Sequence, residues 1–167
     1  YYSVNQVYSE VPYDKAGNKQ GEATYYHENG QESHLINYDA NEFDGKFIEY
    51  FYKGQIKFKK TFNNGVVEGD YISYFMNGEV QSVGQFKEGM NDGHWKMTHD
   101  NGELEEEGEY REGYRIGVWK EYRADGSLAN EADYGETGKK TGVYKEYDKD
   151  GDLQLELTYK GSEIVNY

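Results

Sequence analysis

Glycine recurs on a fixed period in this chain. Gly21, Gly45, Gly69, Gly93, Gly117 and Gly142 are spaced by 24 residues four times and then by 25. A second glycine follows each after nine residues, at Gly30, Gly54, Gly78, Gly102, Gly126 and Gly151. An aromatic residue follows each after 17, at Tyr38, Phe62, Phe86, Tyr110, Tyr134 and Tyr159. So short a period is one supersecondary unit, which buries its apolar face only by stacking on copies of itself. Residues 1–167 therefore read as a single array. It comprises a truncated half repeat at 1–20, six repeats over 21–161 and a terminal edge strand at 162–167.

The second glycine follows Asn29, Asn77, Asn101, Asp125 and Asp150, with Lys53 the exception. Asn-Gly and Asp-Gly suit a type I′ turn, whose two central residues both need positive φ. Each repeat is thus expected to be a β-hairpin closed by two residues. The register that follows places Lys96 opposite Glu107, Lys120 opposite Glu131 and Lys145 opposite Glu156. Such opposite-charge pairs stabilise neighbouring strands. It also sets bulk against its absence: Trp95 against Gly108, Trp119 against Ala132, Tyr71 against Gly84. Phe47 meets Lys60, whose stem can lie along the ring. Leu, Ile, Val and Phe number only 29 of 167 residues, a level at which a charged chain is suspected of disorder. Nineteen Tyr and two Trp supply the missing apolar area. The expected fold is all-β, an elongated antiparallel β-meander of tandem hairpins with about 13–14 strands.

Alternation divides the sheet into two faces. Phe47, Tyr71, Trp95, Trp119 and Tyr144 are expected on the dry face. The aromatic closing each hairpin and the column Ile56, Val80, Leu104, Leu128 and Leu153 are expected there too. The wet face carries the Lys–Glu pairs and a tyrosine column, Tyr26, Tyr50, Tyr74, Tyr122 and Tyr147, interrupted by Thr98.

The stretch YREGYRIGVWKEY, Tyr110 to Tyr122, resembles the MORN repeat, most closely its bacterial variant. FKEGMNDGHW from Phe86 and FNNGVVEGDY from Phe62 share the pattern. The resemblance runs from about residue 13 to 161. It departs at Tyr38 to Gly45, which lacks the intermediate glycine, and at Tyr134 to Gly142, which is one residue longer. It implies a twisted antiparallel meander. MORN arrays are mostly interaction modules, sometimes attached to enzymes or linked to membrane binding. Some bacterial variants are described as antitoxins and others as exported or envelope proteins.

A net charge of −14 repels phosphate backbones and anionic headgroups, so neither nucleic acid nor anionic lipid is an expected partner. The absence of cysteine removes thiolate chemistry. His27 and His99 share a repeat position but lie roughly 29 Å apart at about 4.8 Å per strand, too far for one metal. Asp148, Asp150 and Asp152 around Gly151 lack the acid that a calcium loop needs at its twelfth position, held here by Tyr159. Catalysis needs a unique constellation in a concave site, which a repetitive sheet does not supply. The expectation is a non-catalytic chain without metal or cofactor. It would serve as a protein-interaction or scaffolding module in a bacterial cell-envelope assembly. Alternatives are a cytoplasmic antitoxin or immunity-type protein that masks a toxin, and a carbohydrate-binding surface. Candidate partner-binding residues are Tyr26, Tyr50, Tyr74, Tyr122 and Tyr147 with Ile48 and Ile72, concentrated on the first three repeats. The chain begins at Tyr1 rather than Met, so an upstream segment is expected to have been processed off or left out. That points to an exported or envelope location, with a cytoplasmic one as the alternative.

Overall fold

The structure, a computed structural model, describes residues 7–166. Those residues form one antiparallel sheet. Its strands are β1 (Ser9–Glu10), β2 (Gly21–Tyr26), β3 (Glu32–Asp39), β4 (Glu42–Tyr50), β5 (Ile56–Asn63), β6 (Val66–Val67), β7 (Gly69–Tyr74) and β8 (Val80–Lys87). The sheet continues with β9 (Met90–Thr98), β10 (Leu104–Arg111), β11 (Tyr114–Tyr122), β12 (Leu128–Asp133), β13 (Val143–Tyr147), β14 (Leu153–Lys160) and β15 (Glu163–Asn166). Each strand pairs with the next in sequence except at β6, a two-residue ribbon that pairs only with β5, so that β5 pairs with β7 as well. This ribbon brings the count to fifteen, where about 13–14 were expected. The half repeat at the N-terminus contributes β1, paired with β2 through Ser9 and Glu10, and a bridge from Tyr13 to Lys19. Residues 1–6 and Tyr167, parts of the expected half repeat and edge strand, lie outside the described residues.

The expected register holds along most of each hairpin. Glu107 pairs with Lys96, Gly108 with Trp95, Ala132 with Trp119 and Gly84 with Tyr71. The turns differ from expectation. In the fourth repeat His99 N–H donates to Glu103 O and Gly102 N–H to His99 O. That is a three-residue loop, in which only Gly102 has positive φ, at 86°, while Asn101 does not. Such a loop is a type I turn followed by a left-handed residue. It shifts the strand by one residue, and a bulge at Glu105, between the pairs Leu104↔Thr98 and Glu106↔Met97, shifts it back. The two shifts cancel, so the register survived although the turn type did not.

The bulge has a further consequence. Ile56, Val80, Leu104, Leu128 and Leu153 now pair with Tyr50, Tyr74, Thr98, Tyr122 and Tyr147. Directly paired residues share a face. This column therefore lies with the tyrosines and not on the dry face, and Leu153 is 50% exposed.

Type I′ geometry occurs at the connections between repeats instead. Glu112 and Gly113 have φ of 51° and 80°, and Asn64-Gly65 and Glu88-Gly89 match them. The connection without a glycine uses Ala40 and Asn41, at 45° and 77°. Glutamate gains nothing locally in the left-handed region, whereas asparagine is tolerated there. Glu112→Asn is expected to raise stability by about 0.5–1 kcal/mol, read as a higher urea midpoint at unchanged slope.

No second layer covers the sheet among the described residues, so burial comes from side chains leaning across neighbouring strands. Trp119 is 1% exposed and Trp95 4%. Opposite Gly108 the strand β11 carries three residues, Gly117 to Trp119, between the pairs Glu107↔Lys120 and Glu109↔Ile116. This slack lets the Trp119 indole lie back over Gly108 of the preceding repeat and donate from Nε1 to Glu109 O at 3.0 Å. Trp95 does the same over Gly84, donating to Gln85 O at 3.2 Å. A second clasp joins repeats on the turn side. His27 and His99 meet the carbonyl oxygens of Tyr50 and Tyr122 through Nε2, and Arg123 at the same repeat position donates to Tyr147 O.

Candidate interaction surface

One row of directly paired residues crosses the whole wet face beside the tyrosines, hereafter the ladder face. It starts Glu10, Thr24, Leu35, Ile48, Lys59, Ile72, Val83. It continues Lys96, Glu107, Lys120, Glu131, Lys145, Glu156. The row divides in two, largely apolar through repeat three and strictly alternating in charge afterwards. Ion pairs form within the second part, Lys96 to Glu107 at 3.6 Å and Lys145 to Glu131 at 3.2 Å. Ile48 and Ile72 lie in the apolar part, with a hollow of about 530 Å³ beside Ile72 and Val83, edged by Asp70, Gln85 and His94.

The tyrosine column runs beside this row, but Tyr26, Tyr50, Tyr74, Tyr122 and Tyr147 are half-buried rather than exposed. Their hydroxyls reach back to the preceding strands. Tyr26 donates to Glu10 at 3.1 Å, Tyr122 to Glu107 at 3.2 Å and Tyr147 to Glu131 at 3.0 Å. Burial first, and then the negative charge of Glu107, raise the Tyr122 hydroxyl above its ordinary 10.0, which keeps it a donor. Tyr74 instead lies under Lys59, whose Nζ is 5.9 Å from the ring centre. The column thus ties neighbouring repeats together.

The opposite face carries a continuous run of ring contacts. It passes from Tyr25 to His34, Phe47, Phe58, Tyr71, Trp95, Tyr110 and Trp119, with centroids 4.8 to 6.4 Å apart. Towards the C-terminal half the indoles close this face over. In the first two repeats the face instead holds a shallow hollow of about 510 Å³, with the buried Ile36 and Tyr38 (6% and 7% exposed) as its floor and the half-buried Tyr25, Phe43, Phe47 and Phe62 packed around them. His34 and Lys60 edge the same groove. Burial pulls His34 below its ordinary 6.5, against the Glu49 carboxylate 3.8 Å away. Sequence reasoning placed Phe47 and Phe62 on this face but did not read it as a contact surface. The available signal was Lys60, the one charged residue in the repeat position otherwise held by Ile36, Gly84, Gly108, Ala132 and Leu157.

The remaining polar clusters hold the sheet together. Asp148 accepts from the N–H groups of Asp150 and Asp152, at 3.0 and 2.9 Å, and closes its turn. His94 lies between Glu107 and Glu109, at 3.5 and 3.7 Å. Among the described residues no group of three His, Asp or Glu side chains converges on a point where a metal could sit.

The model of the MORN repeat variant matches residues 19–40, 43–64, 91–112 and 140–160, together just over half of the chain. No curated protein matches the sequence. Among solved structures, a chain in the crystal structure of the GtfA/B complex bound to UDP and GlcNAc is similar at 12% identity and a TM-score of 0.29. The alignment covers 94% of this chain and 25% of that one, so this chain spans a quarter of that protein's length. Four matched repeats, their common period and a single meander of paired hairpins agree, and the chain belongs to the MORN repeat variant family.

Proposed function

We propose that this chain is a non-catalytic protein-interaction module whose partner docks on the open aromatic groove of the first two repeats. One observation carries the reading: between Tyr25 and Phe62 half-buried aromatic rings surround a hollow that no second layer covers among the described residues. Apolar patches of that kind, rimmed by polar groups, mark contacts on water-exposed proteins. Repeats three to five close the same face with Trp95 and Trp119, which separates a contact end from a structural end. A second reading keeps the ladder face, where Leu35, Ile48, Ile72 and Val83 form the apolar half of the row, as the contact.

Photo-crosslinking in the native host distinguishes them. Benzoylphenylalanine at Tyr25 or Phe62 is expected to give one discrete adduct, and the same group at Tyr122 or Tyr147 none. Adducts only from positions 50 and 74 would move the contact to the ladder face. The mass of the adduct tells an envelope assembly component from a masked toxin, and cell fractionation tests the exported location that accompanies the scaffolding role.

A further inference from the structure

Lys60 breaks the repeat. Its position on the aromatic face is otherwise filled by residues without charge, and a local departure from a repeated rule is expected at functional sites. Its ammonium lies 5.1, 5.2 and 5.0 Å from the ring centres of Phe47, Phe58 and Phe62. The nearest carboxylate that acts on it, Glu49, is already engaged by Lys57 at 2.7 Å and faces His34 at 3.8 Å. Among the described residues no carboxylate oxygen lies within ion-pair distance of Lys60. Burial accordingly pulls its amine below the ordinary 10.5. The groove therefore has apolar walls and one cation without a partner anion at its edge.

Resting on the proposed docking groove, we infer that the groove takes the C-terminal aromatic residue of a polypeptide partner, with the terminal carboxylate on Lys60 and the side chain among Tyr38, Phe43, Phe47 and Phe62. Charge complementarity selects an anion, and the surrounding rings require that the anion be carried on an apolar body. A C-terminal aromatic residue offers both from a single residue. Adjacent acidic and aromatic residues of an extended chain point to opposite sides, and residues two apart stand about 7 Å from one another, farther than the 5.0 to 5.2 Å between the Lys60 ammonium and the rings, so a single residue carrying both groups fits better. The chain's net charge of −14 does not forbid this, because exposed charges farther away than roughly 8 Å are largely screened at physiological salt.

The test uses the full chain and three probes: N-acetylphenylalanine, its amide, and N-acetyl-aspartyl-phenylalanine amide. Binding is followed by chemical shifts of the groove residues. The free acid is expected to bind about tenfold tighter than the amide, the effect of one charge-assisted hydrogen bond. Lys60→Met, which keeps an unbranched stem as far as the ε carbon and removes the ammonium, is expected to abolish that difference. A measurement on the wild-type chain guards against misfolding of the variant. Reductive methylation of Lys60 is expected to be slowed by the acid and not by the amide. Equal binding of acid and amide would overturn the role of the carboxylate and leave the groove as a contact. Tightest binding by the aspartyl peptide would overturn the choice of a chain terminus. Binding of none of the three, while crosslinks from Tyr25 persist, would overturn the inference alone. Loss of both would remove the docking reading with it.

Discussion

Trp119→Ala is expected to lower the unfolding free energy by about 3–5 kcal/mol, the cost of emptying a large aromatic site. The side chain is 1% exposed. Its indole lies over Gly108, contacts Tyr110 with centroids 4.8 Å apart and lies under the Arg115 guanidinium at 4.1 Å. Lys120→Ala, one residue on and across the sheet, should cost less than about 1 kcal/mol because its row neighbours Glu107 and Glu131 keep their ion pairs with Lys96 and Lys145. Urea denaturation followed by circular dichroism measures both, and equal losses would mean that the two faces are wrongly assigned. Gly108→Ala tests the seat itself. A Cβ there would stand 2.6 Å from Trp119 Cγ, and the overpacking should cost about 1–3 kcal/mol. In the Trp119→Ala background the same change should be close to neutral, since residues in contact do not add. Additive losses would show that the indole does not rest on Gly108.

The period was legible because three residue types recur in step, and the register because opposite charges and opposite sizes fall into pairs. The turn was not. Asn-Gly suits both a two-residue type I′ turn and the last two positions of a three-residue loop, and glycine alone has positive φ in the second. What separates them is the bulge at Glu105, and an extra residue in a strand leaves no mark in an alternating pattern. Once that residue is inserted, every side chain between it and the turn changes face. Leu104 and Leu153 moved to the tyrosine side for that reason.

The site was harder to read than the fold. Tyr122 and Tyr147 look like exposed contact residues in sequence because their column alternates with the indoles. Their hydroxyls are spent on Glu107 and Glu131 one hairpin back, at a separation of 15 or 16 residues that no local pattern reports. The open groove depends in turn on what does not cover it. Trp95 and Trp119 lie 4% and 1% exposed over the glycines of the preceding repeats, whereas Phe47 packs on Ile36 and stays half-buried itself. Substitution of indole by phenyl is visible in the sequence, yet its meaning rests on the backward lean of the ring, which comes from the bulge beside Gly117.

Arg115→Ala is the second substitution expected to have a large effect, and its signature is dependence on pH. Arg115 Nη2 donates to both carboxylate oxygens of Glu106 at 2.7 Å, with the two side chains 28% and 12% exposed. Removing one partner of a fully buried pair costs ~3–5 kcal/mol; the residual exposure here brings the expected loss to about 2–3 kcal/mol at pH 7. Burial already raises Glu106 above its ordinary 4.5, against the opposing charge of Arg115. A carboxyl raised on folding stabilises the fold fully below its unfolded value, and that contribution is lost as pH rises through the folded value. Without Arg115 the folded value climbs further, so the penalty for the charged form grows at neutral pH and vanishes once the group is protonated. The gap between wild type and Arg115→Ala should therefore narrow steadily as the pH is lowered from 7 towards 4.5. Adding Glu106→Gln to the variant should recover part of the loss at pH 7 and flatten the profile. A gap that stays constant over this range would show that Arg115 acts through its stacking on Trp119 and not through the carboxylate.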